Sequence, residues 1–162
     1  MPYSFFRDFF PDIADEETRC IIVPPESETL LPPDEYALFE MFCDEKRCDC
    51  RRVMFYVLSA KKREPVAVVA WGWESALFYS KWIRDDDPET IAELKGPVLN
   101  ALSPQSKIAP LICDVVTDLL KDPDFVDRIK RHYAMFRARI DGTRVISIEA
   151  QKRLRKKLKR RR

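Results

Sequence analysis

The residues best suited to chemistry are three cysteines that fall within eight consecutive positions. Cys43, Cys48 and Cys50 have the spacing C-x4-C-x-C and lie between two apolar runs typical of strands. Zinc prefers thiolate and imidazole ligands in a tetrahedral shell, and a tight turn can present three sulfurs from one side. The turn therefore predicts one structural zinc ion per chain. Four basic residues would offset the charge of the thiolates: Lys46, Arg47, Arg51 and Arg52.

The sequence favours other uses of these thiols less. A disulfide between Cys48 and Cys50 would close a very tight ring, which the geometry of the bridge disfavours. A bridge between Cys43 and Cys48 is feasible, but it leaves Cys50 free, and the total of five cysteines is odd. Reduced structural thiols and redox chemistry stay open as alternatives to the metal.

His132, the only histidine in the chain, is predicted to be the fourth metal ligand. It lies on the apolar face of a helix predicted over residues 123–140, where an unpaired imidazole would be costly. The sheet on which this face should pack ends in the cysteine turn. A Cys3His shell is ordinary for structural zinc, and it would join the helix to the sheet. A hydrogen-bonded core histidine is the alternative, and the other candidate ligands are Cys20, Cys113, Asp44 and Asp49.

The stretch from Tyr36 to Val53 also carries a resemblance. Its motifs, E-Y-x6-C and C-D-C-R-R-V, are similar to those of a family of uncharacterised bacterial proteins, associated loosely with proteins that carry SEC-C-type zinc motifs. The resemblance covers about a third of the chain when the following strand is included. It implies zinc binding through the cysteines and implies no activity.

The C-terminus is a separate electrostatic segment. Residues 152–162 hold nine of the 29 basic residues and no acidic one, which leaves 20 basic residues against all 27 acidic ones elsewhere. These cations predict salt-sensitive, sequence-independent contacts to the phosphates of RNA or DNA. The alternatives are a solvated or self-paired tail and an anionic membrane bound through Leu154 and Leu158. The nine residues are Lys152, Arg153, Arg155, Lys156, Lys157, Lys159, Arg160, Arg161 and Arg162.

No enzyme motif accompanies the cysteines. The sequence lacks G-x-S-x-G, a P-loop, GxGxxG and H-E-x-x-H, and its three glycines exclude a glycine-rich phosphate loop. The P-C-x-x-C element of zinc deaminases is also missing. We therefore expect a non-enzymatic, zinc-stabilised module that uses its tail on nucleic acid. The alternative is a protein–protein adaptor that acts through its acidic body or Phe-rich N-terminus, and a zinc enzyme is less favoured.

Short apolar runs predict an α+β fold. Strands over residues 35–42, 52–60 and 65–71 have short links, so we expect a small antiparallel sheet with the cysteine turn as one link. Further strands are predicted over 19–23 and 143–148. The N-terminal phenylalanines have near-helical spacing and predict a short helix docked on the body.

The C-terminal half is predicted to be helical and to pack on the sheet. Asp87, Ser103 and Asp122 each precede a proline, which is the pattern of an N-cap and a first helical residue. Gly142 is a natural helix stop. The expected helices cover residues 73–84, 88–95, 110–120 and 123–140. Residues 1–148 would then form one domain, and residues 149–162 a flexible tail.

The whole chain has the composition of a globular protein, with 46% hydrophobic residues. It contains no apolar run of transmembrane length. Its N-terminus lacks the basic and apolar regions of a secretory signal. Free cysteines without an export signal predict the cytoplasm.

Overall fold

The computed structural model describes residues 2–142 and residue 156 of the chain. The described residues form six strands and six helices. In chain order these are β1 (Tyr3–Phe5), α1 (Phe6–Phe9), α2 (Pro11–Glu17), β2 (Arg19–Val23), β3 (Asp34–Cys43), β4 (Arg52–Ser59), β5 (Glu64–Gly72), α3 (Ala76–Ile83), α4 (Pro88–Lys95), β6 (Val98–Leu99), α5 (Ala109–Leu119) and α6 (Pro123–Asp141). The predicted α+β class is confirmed.

The described strands form one antiparallel sheet in the order β1-β3-β4-β5-β6, with β2 also paired to β3. β2 and β1 share the outer edge of β3, where β2 pairs with residues 34–38 and β1 with residues 41–43. The strands β3, β4 and β5 are the predicted meander, and the cysteine turn joins the first two. β1 and β6 were not predicted, because strands of three and two residues are too short to show an alternating pattern.

One face of the sheet builds the core, because alternate residues of β3 and β4 are apolar and point to the same side. Leu38, Phe42 and Phe55 lie on this face and are at most 1% exposed. Ile129 and Phe136 of α6 belong to the same buried cluster. The C-terminal helices therefore cover the face that the cysteine turn adjoins.

The helix α6 follows the predicted start and stop signals. The side chain of Asp122 accepts a hydrogen bond from the backbone N–H of Asp124, and Pro123 is the first helical residue. Gly142 ends the helix with a left-handed φ of 70°, a conformation that glycine adopts without cost. The register of α6 predicted from the sequence is thus confirmed.

The Phe-rich N-terminus docks on the body, as its spacing predicts. Phe6 is 2% exposed and makes an edge contact with Phe42, with 6.2 Å between the ring centroids. Phe9 packs in the same way on Phe136 of α6 at 5.2 Å. The helix α1 carries both rings and is followed by a second short helix, α2, where the sequence predicts one helix.

Two predictions fall partly or wholly outside the described residues. The strand predicted over 143–148 lies outside them, and so does the tail from 149 onward, apart from Lys156. None of the described helices has the length and the apolar content needed to span a bilayer.

Candidate metal centre

The three clustered cysteines lie in the connection between β3 and β4. Cys43 is the last residue of β3, Cys50 lies two residues before β4, and Cys48 lies between them. Their Sγ atoms all fall within 4.8 Å of one another. Cys43 and Cys50 are 1% and 0% exposed, and Cys48 is half-buried. This arrangement could hold a metal ion, as the spacing predicts.

Backbone N–H groups favour the thiolate form of each cysteine. Hydrogen bonding from the N–H of Glu45 lowers the pKa of Cys43, that from Cys50 lowers the pKa of Cys48, and that from Arg52 lowers the pKa of Cys50. Each donor is two residues beyond its acceptor, which is the geometry of a turn that wraps around its own ligands. Such bonds stabilise thiolate over thiol.

Burial has the opposite effect on the pKa of these thiols. It raises the pKa of all three thiols above the ordinary value of 9.0 and is the largest influence on each. Three buried thiolates would repel one another, so the cluster favours neutral thiols until a cation is bound. A divalent metal reverses this preference, because a coordinating thiol is deprotonated outright.

The backbone of the turn includes two residues in the left-handed region. Arg47 has a φ of 62° and Arg51 a φ of 49°. Non-glycine residues adopt this conformation only where the surroundings hold it. The neighbouring hydrogen bonds supply that support at both positions, as described next.

The last turns of α6 hold the cysteine loop from one side. Arg137 donates to the backbone carbonyls of Cys43 and Glu45, and Asp141 Oδ1 accepts from the N–H of Arg47 at 2.8 Å. On the same face, Tyr133 Oη accepts from the N–H of Arg51 at 3.2 Å. Tyr133, Arg137 and Asp141 are spaced four residues apart, so they form one stripe along the helix.

The helix α3 and its N-terminal loop hold the loop from the other side. The hydroxyl of Tyr79 donates to the backbone carbonyl of Arg51 at 2.8 Å. The guanidinium of Arg51 pairs with Asp49 at 2.9 Å and with Glu74 at 3.1 Å. The loop between Cys43 and Arg51 is therefore fixed by two different elements.

Arg52 places a buried positive charge beside the cysteines. It is 5% exposed, its Nε donates to the carbonyl of Leu94 at 2.7 Å, and its Nη1 donates to Tyr3 Oη at 3.3 Å. No carboxylate pairs with it among the described residues. Its charge lowers the pKa of Cys50, although burial raises that pKa more. Buried cations are costly without an anion nearby, and the sulfurs are the groups that can supply one.

The structure does not place His132 in the cluster, so its assignment as the fourth ligand is wrong. Its Nδ1 lies 2.7 Å from Glu40 Oε2 and its Nε2 lies 2.6 Å from Glu17 Oε2. The ring also stacks on Phe6 at a centroid distance of 4.3 Å. Both ring nitrogens therefore have carboxylate partners.

His132 does not reach the cysteines because of where α6 crosses β3. His132 lies on the buried face of the helix, as predicted, and its imidazole has the partners that burial requires. However, the strand residue opposite it is Glu40, three positions before Cys43 in β3. Three residues of strand span about 10 Å, which separates the imidazole from the sulfurs.

The other candidate ligands are also committed elsewhere or distant. Asp44 Oδ2 accepts from the hydroxyl of Ser4 at 2.5 Å, and both carboxylate oxygens of Asp49 accept from Arg51 at 2.9 Å. Cys20 is exposed on β2, and Cys113 is half-buried in α5. None of the four joins the three sulfurs.

Sequence reasoning missed the residues that support the turn. Arg137 is the clearest case, because it is 8% exposed on a helix whose other buried positions are mostly apolar. The signal was present in the register of α6, since Arg137 lies four residues after Tyr133 on the face that packs inward. Arg52 was expected only to offset thiolate charge, which is consistent with its position.

The predicted nucleic-acid contacts lie outside the described residues with one exception. Lys156 is exposed. The other eight are Lys152, Arg153, Arg155, Lys157, Lys159, Arg160, Arg161 and Arg162.

In comparisons with family models, curated proteins and solved structures, nothing matches this chain. The resemblance to SEC-C-type zinc proteins stays a prediction.

Proposed function

We propose that this protein is a non-enzymatic module in which one zinc ion, bound by Cys43, Cys48 and Cys50, fixes the β3–β4 turn. In the same proposal, the basic tail contacts RNA or DNA. The main observation that supports the metal site is that the three Sγ atoms lie within 4.8 Å of one another. Zinc is the metal that suits a thiolate-rich site without redox chemistry.

The charges around the cluster support a bound divalent cation. Three thiolates and one zinc ion carry a net charge of about −1, which one guanidinium balances. Arg52 is buried beside Cys50 and has no carboxylate partner among the described residues. Neutral thiols would leave this cation without an anion, at a large desolvation cost.

The site supports a structural role for the metal. The turn joins β3 and β4, which pair with each other, and is held by hydrogen bonds to α3 and α6. A metal at this junction would couple its binding free energy to folding. The five free cysteines are typical of a reducing compartment, so the proposal places the protein in the cytoplasm.

Elemental analysis of untagged protein purified with added zinc tests the metal. We expect one zinc per chain, and we expect Cys48→Ser to lower metal content and thermal stability together. Cys20→Ser is the matched control, since Cys20 is exposed and outside the cluster. Wild-type protein without zinc after this purification would contradict the proposal.

The charge of the tail supports the proposed contact with RNA or DNA. Its nine cations follow a body with 20 basic and 27 acidic residues. Deleting residues 152–162 should abolish salt-dependent binding to unrelated oligonucleotides and leave the melting temperature nearly unchanged. Changing Leu154 and Leu158 to serine is the control, because it keeps every charge. Loss of binding in the leucine variant as well as in the deletion would point to an apolar contact instead.

The alternative adaptor function has lost one of its two supports. The Phe-rich N-terminus is occupied within the chain, since Phe6 is buried and Phe9 packs on Phe136. The acidic body remains as the surface that could meet a basic partner. Salt-dependent oligonucleotide binding that is lost on deletion of residues 152–162 would favour the nucleic-acid module over the adaptor. Binding that survives the deletion would not come from the tail.

A further inference from the structure

The chain has few thiol and imidazole side chains, and all of them are in the described part. It contains five cysteines and one histidine. Three cysteines form the cluster, and Cys20 and Cys113 lie elsewhere on β2 and α5. Both nitrogens of His132 are bonded to carboxylates. No further thiol or imidazole is therefore placed to complete a tetrahedral shell.

The two aspartates of the turn have other partners. Asp49 receives two hydrogen bonds from Arg51 at 2.9 Å, and Asp44 receives one from Ser4 at 2.5 Å. Among the described residues, no carboxylate oxygen joins the group of sulfurs. Zinc is four-coordinate in most protein sites, so three thiolates leave one position to be filled.

The cluster is open on one side. Cys43 and Cys50 are sealed in the core at 1% and 0% exposure. Cys48 is half-buried, and its neighbours Arg47 and Asp49 are both exposed. Solvent therefore reaches the cluster past Cys48, and a ligand could enter by the same route.

The buried charge indicates what kind of ligand fits. A zinc ion with three thiolates has a net charge of about −1, and Arg52 beside it contributes one positive charge. A neutral fourth ligand keeps this balance. An anionic ligand would add a second negative charge, and Arg137 is already paired with Asp141 at 2.8 Å. A buried net charge of that kind is costly.

We infer that none of the described residues fills the fourth coordination position and that it takes a neutral donor, with water in the isolated protein and an imidazole nitrogen as its replacement. The inference rests on the proposed zinc site. It gives the metal a second role, because an open position can bind a ligand as well as hold the turn. Exchange of water for imidazole breaks one metal–oxygen bond and forms one metal–nitrogen bond, with no oxidation or proton transfer.

Cobalt(II) in place of zinc makes this position visible, because zinc itself has no d-electron transitions. The full-length chain should take up one cobalt and show sulfur-to-cobalt charge-transfer bands together with d–d bands of a tetrahedral site. Addition of imidazole should shift the d–d bands along a saturating curve. Azide, an anionic donor of similar reach, should need at least tenfold more ligand for half the shift.

A matched variant tests whether the chain supplies the ligand itself. His132→Asn should give the same cobalt spectrum and the same response to imidazole as the wild type. A changed spectrum in this variant would show that His132 reaches the metal and would overturn the inference. Where His132→Asn does not fold, the response of the wild type to imidazole still tests the open position, and Cys20→Ser and Cys113→Ser test the two remaining distant thiols in the same way.

The two proposals fail differently. Absence of charge-transfer bands in the wild type would refute the metal site, and with it this inference. Charge-transfer bands with d–d bands that imidazole does not move would leave the metal site intact and overturn only the open position. Tighter binding of azide than of imidazole would overturn the charge argument.

Discussion

The buried guanidinium of Arg137 donates an N–H to the backbone carbonyl of Cys43. Its Nη2 donates to the carbonyl of Glu45 and to the carboxylate of Asp141, both at 2.8 Å. Arg137 is 8% exposed, so these bonds form away from bulk water, where they are stronger. The helix α6 therefore fixes the first cysteine of the turn through the backbone, without a metal ligand of its own.

The first prediction follows from this contact. Arg137→Met would remove a donor from two carbonyls and leave the carboxylate of Asp141 with the N–H of Arg47 alone. Leaving buried acceptors without a donor costs about 1–3 kcal/mol. We expect a fall in the free energy of unfolding of that order and faster zinc release to a chelator. Denaturant unfolding and a colorimetric chelator assay measure the two effects.

The control is Arg139→Met, at an exposed position of the same helix. It removes the same side chain without touching the turn, so stability and zinc release should stay near the wild-type values. Equal rates of zinc release from the two variants would show that Arg137 does not hold the turn.

Much of the sheet and of α6 could be predicted because their signals are local. The strands β3 and β4 carry long apolar runs on either side of a charged turn, and the structure places them within one residue of the predicted bounds. The helix α6 has a capping aspartate, a proline and a terminal glycine. Three cysteines within eight residues of one turn lie close together in space, so their spacing alone predicts the cluster.

The partner of His132 could not be predicted from α6, because it depends on the level at which the helix crosses the sheet. That level is set by packing between distant residues, such as Phe6 on the imidazole ring. One local signal was nevertheless available. Glu40 lies in the middle of an apolar strand and is 8% exposed, so it needed a polar partner from another element. Two isolated buried polar residues could have been paired with each other.

The second prediction separates His132 from the metal. His132→Asn removes the group that joins Glu40 of β3 to Glu17 of α2, although Arg131 still bonds to Glu17 at 2.6 Å. We expect a loss of about 1–3 kcal/mol in the free energy of unfolding, because a buried carboxylate loses its donor. Zinc content should stay at the wild-type level. Parallel unfolding and elemental analysis check this, and a variant that loses zinc under native conditions would restore His132 as a ligand.

The third prediction concerns the pH dependence of stability. Glu17 and Glu40 flank one imidazole, and their pKa values are shifted in opposite directions. Burial alone would raise the pKa of Glu17, but hydrogen bonds from Arg131 and His132 lower it below its ordinary value of 4.5. Burial raises the pKa of Glu40 above that value, despite the hydrogen bond to His132. Ionised Glu17 thus stabilises the fold above pH 4.5, and the contribution is lost as the pH falls through its folded pKa.

The linkage of Glu40 has the other sign. Its contribution is present below pH 4.5 and is lost as the pH rises through its raised folded pKa. The stability advantage of the wild type over Glu17→Gln should therefore grow with pH, and its advantage over Glu40→Gln should shrink. Urea unfolding of the three proteins between about pH 3 and 7 measures both differences, and acid release of zinc affects all three alike. Two differences that change with pH in the same direction would contradict the prediction.

The last prediction concerns Gly72, whose position beneath Tyr79 leaves no room for a side chain. A Cβ there would lie 2.1 Å from Oη and 2.6 Å from Cζ of Tyr79. Tyr79 is 0% exposed and its hydroxyl donates to the carbonyl of Arg51, so Gly72→Ala must displace a buried ring that holds the cysteine loop. We expect a loss of about 1–3 kcal/mol in the free energy of unfolding, together with faster zinc release to a chelator. Gly142→Ala is the control, because its φ of 70° makes it costly by about 1 kcal/mol while no atom lies within 4 Å of the added Cβ. It should be destabilised without faster zinc release. If both variants release zinc equally fast, general destabilisation explains the effect, and Tyr79 does not support the cysteine loop.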